Sequence, residues 1–179
     1  MSNEYFDVGN PKSICAIAED MVDARQGLSD FMVRKASFET LCSVLTLLES
    51  VHSLAYLEGK IHCDNYHEGK RSFKDLGESY GYLNTFVRQE QGSNTFRFGY
   101  RRPTGQGSII RENIRPTKEG YTENNFKRAA HDYEKELAMM TEEHYRRLRK
   151  GSRIVRKAMR LLRNHPLLIE CESVEVTGE

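Results

Sequence analysis

The chain has 179 residues, of which 38% are hydrophobic and 30% charged, enough to bury one core without disulfide staples and too few for a second full domain. It lacks an uninterrupted apolar run near 18 residues, and its N-terminus, MSNEYFDVGNPKS, has no basic stretch leading into an apolar one, which argues against a membrane span and a secretory signal. The expected location is cytoplasmic, with Cys15, Cys42, Cys63 and Cys171 scattered singly as reduced thiols.

A net charge of +1 conceals a strong segregation. Residues 1–92 carry a net −5, residues 93–169 a net +10 from 18 Lys/Arg against 8 Asp/Glu, and residues 170–179 a net −4. A basic block of that size most often meets phosphate.

In chain order, Asn10–Pro11 is a helix start, with Ile14, Ile17, Ala18, Met21 and Val22 at helical spacing up to a stop at Gly27. Residues 37–58 form a second helix, whose Leu41, Val44, Leu45, Leu48, Val51, Leu54, Ala55 and Leu57 mark it as the most buried one, ending near Gly59. Residues 61–72 lack a period and read as a loop, and residues 75–91 as a third helix on Leu76, Tyr80, Leu83 and Val87. Phe96, Phe98 and Tyr100 alternate with Thr95, Arg97 and Gly99 as in a half-buried strand. A turn over RRPTGQGS and a return strand over residues 108–114 make the 93–118 region a β-hairpin insertion.

From Asn125 a stripe of Phe126, Ala129, Ala130, Tyr133, Leu137, Met140, His144 and Leu148 predicts a fourth helix, stopped by Gly151. Ser152 caps a fifth, over residues 153–163, and residues 170–179 are an acidic tail beyond a single domain of residues 1–169. The expected fold is therefore mainly α, a bundle of about five helices with a small β-hairpin insertion.

Arg146, Arg147, Arg149, Lys150, Arg153, Arg156, Lys157, Arg160 and Arg163 fall within one stretch that holds no acid. Such a density favours phosphate, because each contact releases condensed counterions, and the arginine fork fits phosphate oxygens bidentately. In FRFGYRRP, Arg97, Arg101 and Arg102 interleave with aromatics, the composition that holds single strands by stacking; the plainer reading is that the rings pin the hairpin to the core. His62, Cys63, Asp64, His67 and Glu68 are metal-ligand types without the paired spacing of a zinc site, so no metal or other cofactor is expected. No nucleotide-binding glycine motif and no HExxH occurs.

Arg160 and His165, separated by four residues at a helix end, form a spacing that is similar to the R-x4-6-H motif of HEPN ribonucleases, helical dimers that cleave RNA. The resemblance covers six residues, and Leu161 stands where that family usually has a polar residue. It implies a ribonuclease built on Arg160 and His165.

These features order three readings. The first is a small non-enzymatic, nucleic-acid-binding accessory or regulatory protein, of the kind a virus or mobile element encodes, using the C-terminal basic helices with the hairpin as an accessory contact. The second is an adaptor or inhibitor docking its basic face on an acidic protein surface. The third is the HEPN-like ribonuclease. DNA and RNA are not distinguished, no membrane partner is expected, and a homo-oligomer is compatible with all three.

Overall fold

The computed structural model describes residues 30–90, 92–104, 107–129 and 131–169. The helix expected over residues 11–26, Cys15, Cys171 and the acidic tail lie outside them.

Two long helices and an antiparallel sheet make up the described residues: α1 (Asp30–Asp75), β1 (Leu83–Glu90), β2 (Ser93–Pro103), β3 (Ile109–Asn113), a 3-10 turn (Glu123–Phe126) and α2 (Asp132–Arg163). Strand order is β1-β2-β3, with Leu83 opposite Tyr100, Glu90 opposite Ser93, and Gly99 opposite Asn113. Gly92, at φ +67°, makes the tight link between β1 and β2. By packing the chain falls into two compact units. One is Val51–Arg156; of the other, residues 30–50 and 157–169 are described.

The expected five-helix bundle is thus corrected to two long helices and a three-stranded antiparallel sheet among the described residues. The error begins at residues 61–72, which continue α1 instead of looping. The inward stripe of this half of the helix is His52, Ala55, Tyr56, Gly59, Cys63, Tyr66 and Lys70, at helical spacing but mostly polar or small. A Cβ at Gly59 would collide with the Phe96 ring, so the glycine that reads as a stop permits close helix–strand approach. The apolar positions point elsewhere: Val44, Leu47, Val51, Leu54, Leu57 and Ile61 are exposed. Residues 37–58 are therefore not the buried centre. By length and composition α1 can cross a membrane, through an 18-residue window of mean hydropathy 1.3 of which 6% is buried; Glu49 and His52 interrupt this run without lowering its average below that level.

Residues 83–90 are a strand and not a helix. Leu83, Thr85 and Val87 face the core while Asn84, Phe86 and Arg88 face away, the two-residue alternation of a half-buried strand. α2 runs unbroken through Gly151 and Ser152, joining what the sequence divides into two helices. Its buried residues, Tyr133, Glu134, Ala138, Thr141, Glu142, Tyr145, Leu148 and Ser152, lie about one position round from the expected stripe, and Met140 is exposed.

The core of the Val51–Arg156 unit is aromatic. Phe98 is fully buried and meets Tyr121, Phe126 and Tyr145 at centroid distances of 5.0, 5.1 and 5.6 Å. Buried tyrosine hydroxyls need partners: Tyr66 donates to Leu83 O, Tyr121 to Ile114 O, and Tyr145 pairs with the Thr85 hydroxyl.

Candidate nucleic-acid interface

The basic stretch of α2 divides into residues that the fold uses and residues that it leaves to solvent. Glu142 is fully buried; it accepts from the Tyr121 N–H and from Arg149, and Arg146 approaches it at 4.0 Å. Arg149 also donates to Phe96 O, so this half-buried guanidinium ties α2 to β2. Arg147 pairs with Glu58 of α1, Arg156 donates to the Ser93 hydroxyl, and Arg163 pairs with Glu49. Lys150, Arg153, Lys157 and Arg160 are exposed and form no ion pair among the described residues. They follow one another at spacings of three, four and three along α2, hence on one helical face.

On the hairpin, Phe96, Phe98 and Tyr100 are buried at 2%, 0% and 3% exposure. Their rings pin β2 to the core and are not free to stack on bases. Arg97 and Arg101 project from the opposite face of β2, while Arg102 lies against the Tyr100 ring at 5.6 Å. That opposite face gathers residues that sequence reasoning missed: Phe86 and Arg88 from β1 and Arg111 from β3. The signal was present in the alternation LNTFVRQE followed by Gly92, and was hidden by reading residues 75–91 as a helix.

Of the metal-ligand types of residues 62–68, His62, Cys63 and His67 pack into the fold, and Asp64 and Glu68 are exposed. His62 stacks on His144 at 3.8 Å, Cys63 is buried near Thr85 O, and His67 hydrogen-bonds the same carbonyl at 3.2 Å. Burial, first of all, holds His67 below the usual histidine range; burial and the neighbouring His144 do the same for His62. Among the described residues no group of three or more His, Cys, Asp or Glu side chains could hold a metal ion. Arg160 lies on α2 and His165 beyond its end, both exposed, with the His165 ring accepting from the Leu167 N–H.

No curated protein and no solved structure matches the chain. The MobI protein family matches residues 62–163, a span that begins in α1, contains the whole sheet and reaches the end of α2. This match covers more than half of the chain, including both basic surfaces, and the chain accordingly belongs to the MobI family, which is associated with the mobilisation of mobile elements.

Proposed function

We infer that the chain is a non-enzymatic, cytoplasmic accessory protein of a mobile element that binds nucleic acid through the basic face of α2. The observation carrying this reading is the set Lys150, Arg153, Lys157 and Arg160, four exposed bases at helical spacing with no carboxylate paired to them among the described residues. Unpaired bases contact phosphate without first breaking an internal ion pair, and each contact releases counterions. Membership of a mobilisation-related family adds a context in which nucleic acid is the natural partner.

The experiment is a binding titration against duplex DNA. Replacing Lys150, Arg153, Lys157 and Arg160 with Ala should weaken affinity about tenfold or more at low salt. Arg147→Ala, which removes a base already paired with Glu58, should change it far less. Equal effects of both variants would move the contact off this face.

A second reading rests on a different observation, the exposed apolar window of α1. In it, α1 lies in a bilayer and the bases of α2 face anionic headgroups. Flotation with anionic vesicles separates the two: protein that stays with the soluble fraction and binds DNA contradicts the membrane reading.

A further inference from the structure

We propose that the outer face of the sheet is a second site, which takes single-stranded nucleic acid by seating one base on Phe86 and neighbouring phosphates on Arg101 and Arg111. The proposal rests on the nucleic-acid reading above and adds to it a place and a strand state.

Strand register puts Asn84, Phe86 and Arg88 of β1, Arg97, Gly99 and Arg101 of β2, and Arg111 and Asn113 of β3 on the face turned away from the core. Arg101 lies directly opposite Arg111. Like charges in that position destabilise a sheet, and no carboxylate pairs with either among the described residues. Glu90 lies 3.8 Å from both Arg88 and Arg97, and Glu112 pairs with Arg128, so neither acid pairs with Arg101 or Arg111. A bound anion would relieve the Arg101–Arg111 repulsion.

Between these charges lies a hollow of about 200 Å³, lined in part by Asn84, Phe86, Arg88, Arg101, Arg111 and Asn113. Gly99 shapes its floor: a Cβ there would lie 2.8 Å from Glu112 O and 3.4 Å from the Phe86 ring. The absent side chain leaves space beside the half-buried ring on the Gly99 side, and the Arg88 guanidinium rests over the ring at 5.1 Å from its centroid. Asn84 and Asn113 flank Gly99 on either side and offer both donors and acceptors to a base edge. An aromatic surface between arginines is the chemistry of single-strand binding, where a base stacks and phosphates are neutralised. In a duplex the base faces are already stacked, so a half-buried ring at the bottom of a hollow does not reach them.

The test is fluorescence anisotropy with a labelled DNA strand of about 12 nucleotides and with its duplex. Four proteins are compared: the unaltered full chain, Phe86→Ala, Phe86→Tyr and Arg101→Gln/Arg111→Gln, each checked for an unchanged melting curve. Phe86→Ala should weaken single-strand binding by about 5-fold or more and leave duplex binding nearly unchanged, Phe86→Tyr should bind like the unaltered chain, and the double arginine variant should also lose single-strand affinity. If Phe86→Ala leaves single-strand binding unchanged, or weakens both forms alike, the proposal is overturned while the α2 reading stands. If the unaltered chain binds neither form, both fall.

Discussion

Lys70 enters the interior with three bonds to its ammonium: it donates to Gly81 O at 2.9 Å and Leu83 O at 2.6 Å, and meets Glu134 at 3.0 Å, with both side chains fully buried. Burial lowers the lysine pKa and Glu134 opposes that effect. Glu134 also accepts from the Leu83 N–H, so the pair fixes the start of β1 against both helices. Lys70→Met withdraws the ammonium from a fully buried carboxylate, so it should cost about 3–5 kcal/mol in urea unfolding. A loss under about 0.5 kcal/mol, the range of surface substitutions, would mean that the pair is not buried in solution. His67 and His62 give the fold a pH dependence of known sign. Their folded-state pKa values lie below the ordinary one, so as pH falls the unfolded chain takes up protons first. The stability they contribute is complete above the ordinary histidine value, about 6.5, and is lost as pH falls through it toward the folded values. Melting temperature should therefore drop between about pH 7 and pH 5, and His62→Gln/His67→Gln should flatten that drop. An equal drop in the variant would place its origin elsewhere.

At the scale of elements, the β2–β3 hairpin was legible because Phe96, Phe98 and Tyr100 alternate without exception, and the C-terminal helical register was legible in outline. The α1 continuation was not, because its inner stripe uses His52, Gly59, Cys63 and Lys70, residues whose burial depends on partners 22 to 64 positions away: Gly92, Phe96, Thr85 and Glu134. A hydrophobic-period reading follows Leu54, Leu57 and Ile61 instead, and these are exposed. The same cause rotated the α2 stripe, since Glu134 and Glu142 are buried by ion pairs that the sequence does not announce. The basic stretch itself was legible as composition, but not which of its members are committed to Glu142, Glu58 and Glu49. Gly151 reads as a helix stop yet sits inside α2 with open space around the place of its missing Cβ. Gly151→Ala should therefore stabilise the protein by about 0.5–1 kcal/mol, measured as a rise in urea midpoint. A destabilised variant would show that the helix breaks there.

For the molecule as a whole, the segregated charge is only partly cancelled by folding. Arg147 meets Glu58 and Arg163 meets Glu49, each joining the basic half of the chain to its acidic half. Lys150, Arg153, Lys157 and Arg160 receive no such partner among the described residues, and in the proposed complex phosphate takes its place. The measurement that bears on it most directly is the salt dependence of duplex DNA binding. Four phosphate contacts at about 0.9 each should give a slope near −3.6 in a plot of log affinity against log salt, and Arg153→Ala/Arg160→Ala should flatten it by about 2. A slope near zero, or one that the double substitution leaves unchanged, would contradict nucleic-acid binding through this face.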